Sequence, residues 1–304
     1  MAVCVSIFML TYNQEKYIAQ AIEGVLKQLT SFNYELVIGE DCSTDQTRKI
    51  CIKYAEENPK KIKLLLNKRN LGLGANYVKT YSACTGRYVA ICDGDDYWID
   101  PLKLQKQVEF LEENPDFNII YTNKIDLFPT GKKDEPRKNN GPQISNFEDL
   151  VKGNYIASVT ALFRKVPLTD KMKQWIPSFP YGDWPTYLLV ISQGGKIYYL
   201  NKPTAVYRKG FGTSTSLRQE KSKPGEVNVD ILQHLKADPV FKKRINLLQE
   251  SILNFRIGIM ASYIKEGRYL KSFLMMTQLF LFKQNFSVPR LYLYSLRRKK
   301  SLKN

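Results

Sequence analysis

Cysteine is scarce and never paired: Cys4, Cys42, Cys51, Cys84 and Cys92 all fall in the first hundred residues, without a C-x-x-C, and mostly in apolar runs. That pattern excludes a disulfide framework and a zinc ribbon, and reads as buried free thiols in a reducing compartment. No apolar run reaches the roughly 20 residues that cross a bilayer. No basic segment precedes the first apolar run as a signal peptide would need, so a cytoplasmic protein is expected. No G-x-G-x-x-G follows that run, which disfavours a dinucleotide-binding dehydrogenase. Internal repeats are missing too. The one histidine, His234, lies in a helical stretch far along the chain and is given no catalytic role.

Positive charge is plentiful. The 304 residues carry 46 Lys/Arg against 29 Asp/Glu, a formal +17. Residues 221–304 hold 17 of those cations and 5 of the acids, so +12 belongs to the last quarter. The excess points to an anionic partner or surface for that segment. A basic nucleic-acid-binding module would instead interleave aromatic and basic residues over a sheet, so no nucleic-acid partner is expected.

The first 125 residues alternate strand and helix signals. Strands are predicted at Val3–Leu10, Glu35–Gly39, Ile62–Leu66, Tyr88–Cys92 and Ile119–Asn123. Helices are predicted from Gln14 to Lys27, from the Ser43/Thr44/Asp45 capping cluster to Glu57, over Gly72–Cys84 and over Pro101–Glu113. The first should bury Ile18, Ala21, Ile22, Val25 and Leu26 on one stripe. Repeated β-α units imply a right-handed, largely parallel sheet covered on both faces. Ligands bind such sheets outside the carboxyl ends of the strands. Three polar clusters stand there and should converge: Thr11-Tyr12-Asn13, Glu40-Asp41, and Asp93/Asp95/Asp96. Residues 129–145 form a polar loop, residues 147–207 mix strand and helix signals, and helices alone follow Ser222-Lys-Pro-Gly225.

The most informative stretch is Tyr88-Val-Ala-Ile-Cys-Asp-Gly-Asp-Asp-Tyr-Trp98, a buried strand that delivers three carboxylates within four residues. Crowded carboxylates repel unless a cation or a set of donors compensates them. Alternation places Asp93 and Asp95 on one side, which suits a shared divalent ion. An isolated D-x-D is more often a polar turn closing a strand.

Its company decides. Ser6-Ile-Phe-Met-Leu-Thr-Tyr-Asn13, Val37-Ile-Gly-Glu-Asp-Cys-Ser-Thr-Asp45, Arg69-Asn-Leu-Gly72 and Asp93-Gly-Asp-Asp96 occur in that order, followed by Asn154–Arg164, Gly182-Asp-Trp-Pro185 and Tyr207-Arg208. Over residues 1–220 the chain resembles family 2 glycosyltransferases of the GT-A fold. The resemblance implies a Rossmann-like, mostly parallel central sheet flanked by helices. Residues 1–222 would form the catalytic domain, with a nucleotide-sugar part (1–125) and an acceptor part (146–222), and 223–304 a basic helical appendage. It further implies inverting, metal-dependent transfer of a sugar from a nucleotide-sugar donor, a UDP-sugar by expectation, to a saccharide or lipid-linked saccharide in bacterial surface-polysaccharide assembly.

Residue roles follow from the same resemblance. Tyr12 matches the residue that stacks on the base, as an aromatic face can, although a core tyrosine is the plainer role. Asp41 matches the carboxylate that accepts from the base edge. Glu40 suits either that or capping, and Asp45 reads as a helix cap. Thr11, Asn13, Asn76, Gly94 and Arg208 fall among donor-side positions. Surface solvation of Arg69 and helix packing of Asn76 account for them equally well. Asp95, with Asp93 beside it, matches the ligands of Mn²⁺ or Mg²⁺, while Asp96 touches the sugar or braces the loop. Asp183 is the candidate general base, with an N-cap role compatible.

Two departures stand out: Leu10 replaces a frequent proline, and no histidine follows Tyr207-Arg208, which leaves Arg208, Lys209 and the loop through Ser216 as candidates for the diphosphate. A nucleotidyltransferase of similar fold would need a Gly-rich basic loop where Thr11-Tyr-Asn-Gln-Glu-Lys16 stands. For residues 268–304 the readings are a helical appendage packed on the catalytic domain, peripheral attachment to the anionic inner face of a membrane, or homo-oligomerisation.

Overall fold

In a computed structural model of the chain, residues 2–134, 136, 142–210, 217, 219–283 and 287–301 are described. Contacts divide the chain into two compact units, Met1–Leu150 with Asn154–Gly212, and Val151–Gly153 with Thr213–Asn304.

The first unit is built on one nine-stranded sheet. Strands β1 (Val5–Thr11), β2 (Tyr34–Glu40), β3 (Ile62–Leu66) and β4 (Tyr88–Ile91) are parallel, in the order β3-β2-β1-β4. The runs of Val, Ile, Leu and Phe in β1 and β4 are apolar on nearly successive residues because helices cover both faces there, whereas the edge strand β3 is partly exposed. Every residue of β1 is buried. The crossovers are α1 (Ile18–Leu26), α2 (Thr47–Glu57) and α3 (Leu73–Ala83). Helix α1 buries Ile18, Ala21, Ile22 and Val25, four of the five residues of the predicted stripe. It begins at Ile18 rather than Gln14, because Gln14–Tyr17 forms a turn closed by bonds from the Tyr17 and Ile18 amides to the Gln14 carbonyl.

Beyond β4 the sheet changes hand-over. After β5 (Tyr97–Trp98) and α4 (Lys103–Glu113) comes β6 (Phe117–Leu127), longer than the predicted Ile119–Asn123. It does not pair with β4. A short antiparallel strand, β8 (Leu162–Arg164), lies between them, and β9 (Lys196–Arg208) continues the sheet parallel to β6. The two-residue strand β7 (Ile144–Ser145) and β5 both pair antiparallel with β9. Through that pairing β9 reaches the segment just after the acidic loop. Three short helices complete the unit: α5 (Phe147–Leu150), α6 (Asp170–Trp175) and α7 (Asp183–Val190).

The second unit is helical: α8 (Lys223–Lys236), α9 (Ile245–Glu266), α10 (Tyr269–Lys283) and α11 (Ser287–Ser301). Gly267, at φ 83°, ends α9 in the left-handed conformation that a C′ glycine adopts without strain. Leu253, Met260, Leu279 and Val288 form a core joining the last three helices. Among the described residues no helix is long and apolar enough to cross a membrane.

Candidate active site

Parallel register brings the polar clusters together. Thr11 pairs with Glu40 across β1 and β2, and the Asp41 amide donates to the Thr11 carbonyl at 3.1 Å. On the other flank of β1, the Gly94 amide donates to the Leu10 carbonyl at 2.9 Å. Thr11–Asn13, Glu40–Asp41 and Asp93–Asp96 therefore line one edge.

Two non-glycine residues at this edge have positive φ, Asn13 at 51° and Cys42 at 60°. Asparagine tolerates that region and cysteine seldom enters it. Both turns are cross-braced: the Asn13 amide donates to Ser43 Oγ at 3.0 Å, and Asn13 Oδ1 accepts from the Thr44 amide at 2.8 Å. Between them Tyr12 stands 44% exposed, free of the core, with its ring at the rim.

Glu40 and Asp41 are both buried, and each is held by donors. Glu40 accepts from the Ser43 amide at 2.6 Å and from Arg48 Nε at 2.5 Å. Arg48 also donates to the Asn67 carbonyl, so Glu40 anchors α2 to the loop after β3. Asp41 accepts from the Leu71 and Gly72 amides (2.9 and 3.0 Å) and from Asn67 Nδ2 (2.8 Å). Asn76 is committed to the same bracket: its Nδ2 donates to the Gly39 carbonyl and its Oδ1 accepts from Asn67. Asp45 is not the cap expected of it: the N-cap of α2 is Gln46, and Asp45 stands one residue earlier, accepting from the Thr47 amide at 2.9 Å and from the Glu15 amide at 3.1 Å.

The acidic loop is the most polarised part of the edge. Burial, and then the charges of Asp95 and Asp183, push the Asp93 carboxyl up to about 8, against a bond from Ser158. Asp95 is raised by burial, with the Arg208 guanidinium opposing. Asp96 is raised well above the usual range by burial and by Asp95. Its Oδ1 accepts from the Arg208 amide at 2.8 Å, so Asp96 braces the loop to β9. Arg208 lies between the Tyr17 and Tyr97 rings, 4.6 and 4.8 Å from their centroids, and donates to the Asp95 carbonyl and to Gln20 Oε1. Its guanidinium thus clamps the acidic loop from β9. The loop through Ser216 lies outside the described residues.

Three buried polar atoms near this loop have no hydrogen-bond partner: Asp93 Oδ1, Thr11 Oγ1 and Gln14 Oε1. A buried unpaired acceptor costs about 1–3 kcal/mol, so three together mark a place built for something else to bind. Gly94 permits the arrangement, since a Cβ there would lie 2.4 Å from Gln14 Oε1 and 2.9 Å from Thr11 Oγ1.

Asp183 opens α7, one position past the N-cap Gly182. Burial raises its carboxyl, opposed by bonds from the Trp184 amide and from Asn154, whose Nδ2 lies 3.0 Å from Oδ2. Trp184 is fully buried, with Nε1 donating to the Leu150 carbonyl at 3.0 Å, and fixes the helix start. The charge of Asp183 reaches Asp93. It reaches Tyr187 as well, whose buried hydroxyl has no partner. Gln14, Ser158 and Asn154 are the site residues to which sequence reasoning gave no role. Asn154 and Ser158 carried a signal, as members of the Asn154–Arg164 segment, and Gln14 carried none.

Comparison with known proteins agrees with this geometry. A family profile described as Glycosyl transferase family 2 matches residues 6–169. An uncharacterized protein of Mycobacterium tuberculosis is 35% identical over 210 residues, which is 67% of this chain and 58% of that protein, so the chain spans under two thirds of its length. The UDP-Glc:alpha-D-GlcNAc-diphosphoundecaprenol beta-1,3-glucosyltransferase WfgD of Escherichia coli is 31% identical over 62% of this chain and 68% of its own. Among solved structures, Staphylococcus aureus TarS 1-349 in complex with UDP-GlcNAc superposes with a TM-score of 0.61 at 18% identity, over 98% of this chain and 80% of that one. The likeness to TarS, together with the family profile, gives the sheet and its flanking helices the GT-A fold.

Proposed function

The chain belongs to glycosyl transferase family 2, and from that premise we propose that it moves a sugar from a UDP-sugar to a saccharide, free or lipid-linked, in surface-polysaccharide assembly, with inversion at the anomeric carbon. The observation that carries the reading is the cluster of buried, unpartnered polar atoms on Asp93, Thr11 and Gln14, with Asp183 close enough for its charge to raise the Asp93 carboxyl. The donors named for WfgD and TarS, UDP-glucose and UDP-GlcNAc, support a uridine nucleotide.

The residues fit a divalent cation. Asp93 Oδ1 is buried and unpartnered, and Asp95 adds a second carboxylate. Among the described residues no three carboxylate, histidine or cysteine groups cage an ion by themselves. Two carboxylates completed by phosphate oxygens are the usual protein share of a Mg²⁺ site. Bound there, Mn²⁺ or Mg²⁺ would neutralise charge on the leaving nucleoside diphosphate. Tyr12 offers its face to the base, and the Asp41 bracket sets the edge beside it.

Asp183 accepts the proton of the acceptor hydroxyl as that oxygen attacks the anomeric carbon. The bond from that carbon to the phosphate oxygen breaks, and its electron pair leaves with the nucleoside diphosphate. Burial raises Asp183 toward working pH, where a general base is most effective, while Asn154 holds one carboxylate oxygen. The test is Asp183→Asn. Transfer should fall by about 10²–10⁴-fold, with UDP affinity unchanged in the presence of Mn²⁺ and the product anomer inverted by NMR. Wild-type transfer by the variant, or a retained anomer, overturns the reading.

A further inference from the structure

From residue 267 to the C-terminus the chain contains nine Lys/Arg and no Asp or Glu. Two helices, α10 and α11, occupy this segment. On α10, Leu270, Phe273, Leu274 and Leu281 are 72, 47, 51 and 73% exposed. Their spacing puts them on a single stripe, because positions three, four, seven and eleven apart share a helix face. Ser272 and Leu279, on the opposite side, are buried. Four large apolar side chains in one exposed row exceed the scattered exposure that monomeric surfaces show.

The row adjoins α11 through Phe273, whose ring meets Tyr292 edge-on at 6.3 Å between centroids. On α11 the outward positions are different in kind: Arg290, Tyr294 and Arg297 are exposed at helical spacing, flanked by exposed Leu291 and Leu293. An apolar stripe bordered by arginine and tyrosine suits the boundary between lipid headgroups and acyl chains.

We propose that this face docks on an anionic phospholipid surface, with the leucine and phenylalanine row entering the headgroup boundary and the basic residues meeting lipid phosphates. Charge selects the occupant. A second copy of the same face would bring exposed Arg290 and Arg297 against their own counterparts, with no acid on either helix to pair them, whereas an anionic bilayer neutralises both. A nucleic acid would use the cations and leave the leucine row in water. The inference is independent of the transfer chemistry.

Vesicle sedimentation of the full-length chain tests it. Phosphatidylcholine vesicles with about one third phosphatidylglycerol should retain the protein at least tenfold better than pure phosphatidylcholine, since each cation at such a surface is worth roughly fivefold. Arg290→Glu with Arg297→Glu should cost more than about tenfold on the anionic vesicles. Leu274→Ser with Leu281→Ser should also release the protein from them. All four positions are exposed, and far-UV circular dichroism checks that the variants fold. Absence of binding to anionic vesicles overturns the proposal. So does undiminished binding by the leucine variant, which would mean charge adsorption only. A dimer in sedimentation velocity that Leu274→Ser dissolves, without vesicle binding, assigns the face to a second copy instead.

Discussion

Asp93 sits where an ionised carboxylate is unstable: half-buried with its Oδ1 out of reach of water, beside Asp95, and within the field of Asp183. In an unfolded chain the same carboxyl ionises near pH 4, whereas the fold keeps its proton up to about 8. Between those values the native state binds more protons than the unfolded one, so the stability from this group is full below pH 4, declines as pH rises, and is gone above about 8. Asp93→Asn removes that pH-dependent loss while keeping the shape. At about pH 7 the variant should melt higher than the wild type, by about 2–4 °C for each kcal/mol relieved, and near pH 4 the two should coincide. On the proposed cation site, transfer should also fall, by about 100-fold, since the cation's charge stabilisation is worth several kcal/mol. Differential scanning fluorimetry at the two pH values, paired with a transfer assay, checks both. A variant that melts lower at neutral pH would show that Asp93 supports the fold rather than the reaction.

At the scale of elements, α3 and the segment that delivers Asp183 are fitted together through two glycines. A Cβ on Gly74 would lie 2.3 Å from the Ile176 carbonyl, and one on Gly182 would lie 2.7 Å from the Tyr77 ring. Tyr77 cannot yield: Phe8 meets it edge-on at 4.8 Å, Tyr81 stacks at 6.0 Å, and its hydroxyl donates to Thr186 at 3.0 Å. Gly182→Ala should therefore push the start of α7 outward. Overpacking of this kind costs about 1–3 kcal/mol, and a shift of about 1 Å in a catalytic group can lower kcat by 10²-fold. Affinity for UDP, which the proposed function assigns to the ends of β1, β2 and β4, should stay unchanged. A kcat within twofold of wild type would show that α7 tolerates the methyl group. The sequence exposes the parallel half of this architecture well, because β1, β2 and β4 are almost wholly buried and read as runs dominated by Val, Ile, Leu and other apolar residues. It hides the other half. Strand β8 is three residues long, and its place between β4 and β6 depends on pairing across more than 40 residues of chain. Tyr12, Asp41 and Asp93 are legible for the same reason as the strands they end. The parts of Ser158 and Gln14 are not, because a lone polar side chain gives no sign of a carboxylate distant in sequence, such as the Asp93 that Ser158 bonds, or of the unpartnered place that the Gln14 amide oxygen takes beside it. Glu40 shows the converse: it reads as a ligand or a cap, and burial against Arg48 decides its role only in three dimensions.

Across the whole molecule, a chain of net charge +17 concentrates its destabilised acids at one edge. Asp93, Asp95, Asp96 and Asp183 are all pushed upward by burial. Each makes stability fall as pH rises above the ordinary carboxylate range, so their effects add in one direction. Glu35, Asp45, Asp100 and Glu266 are shifted downward, where bonds from neighbouring donors outweigh burial, and their opposite slope lies below about pH 4.5. The Lys103 amine is pushed down to about 7 by burial, so it raises stability only above that value. The interval from about pH 5 to 7 therefore reports the acidic edge with little interference from these groups. Without ligand, the melting temperature should decline across it. Mn²⁺ with UDP should cancel the decline, because a bound cation favours the ionised carboxylates and binding stabilises by about 2.7 kcal/mol at a hundredfold excess over Kd. The stabilisation should be larger at about pH 7 than at 5, since the cation must displace protons at the lower value. Melting curves at both pH values, with and without the cation and nucleotide, decide the matter. Parallel pH dependences in the two conditions would show that the cation does not reach these carboxylates.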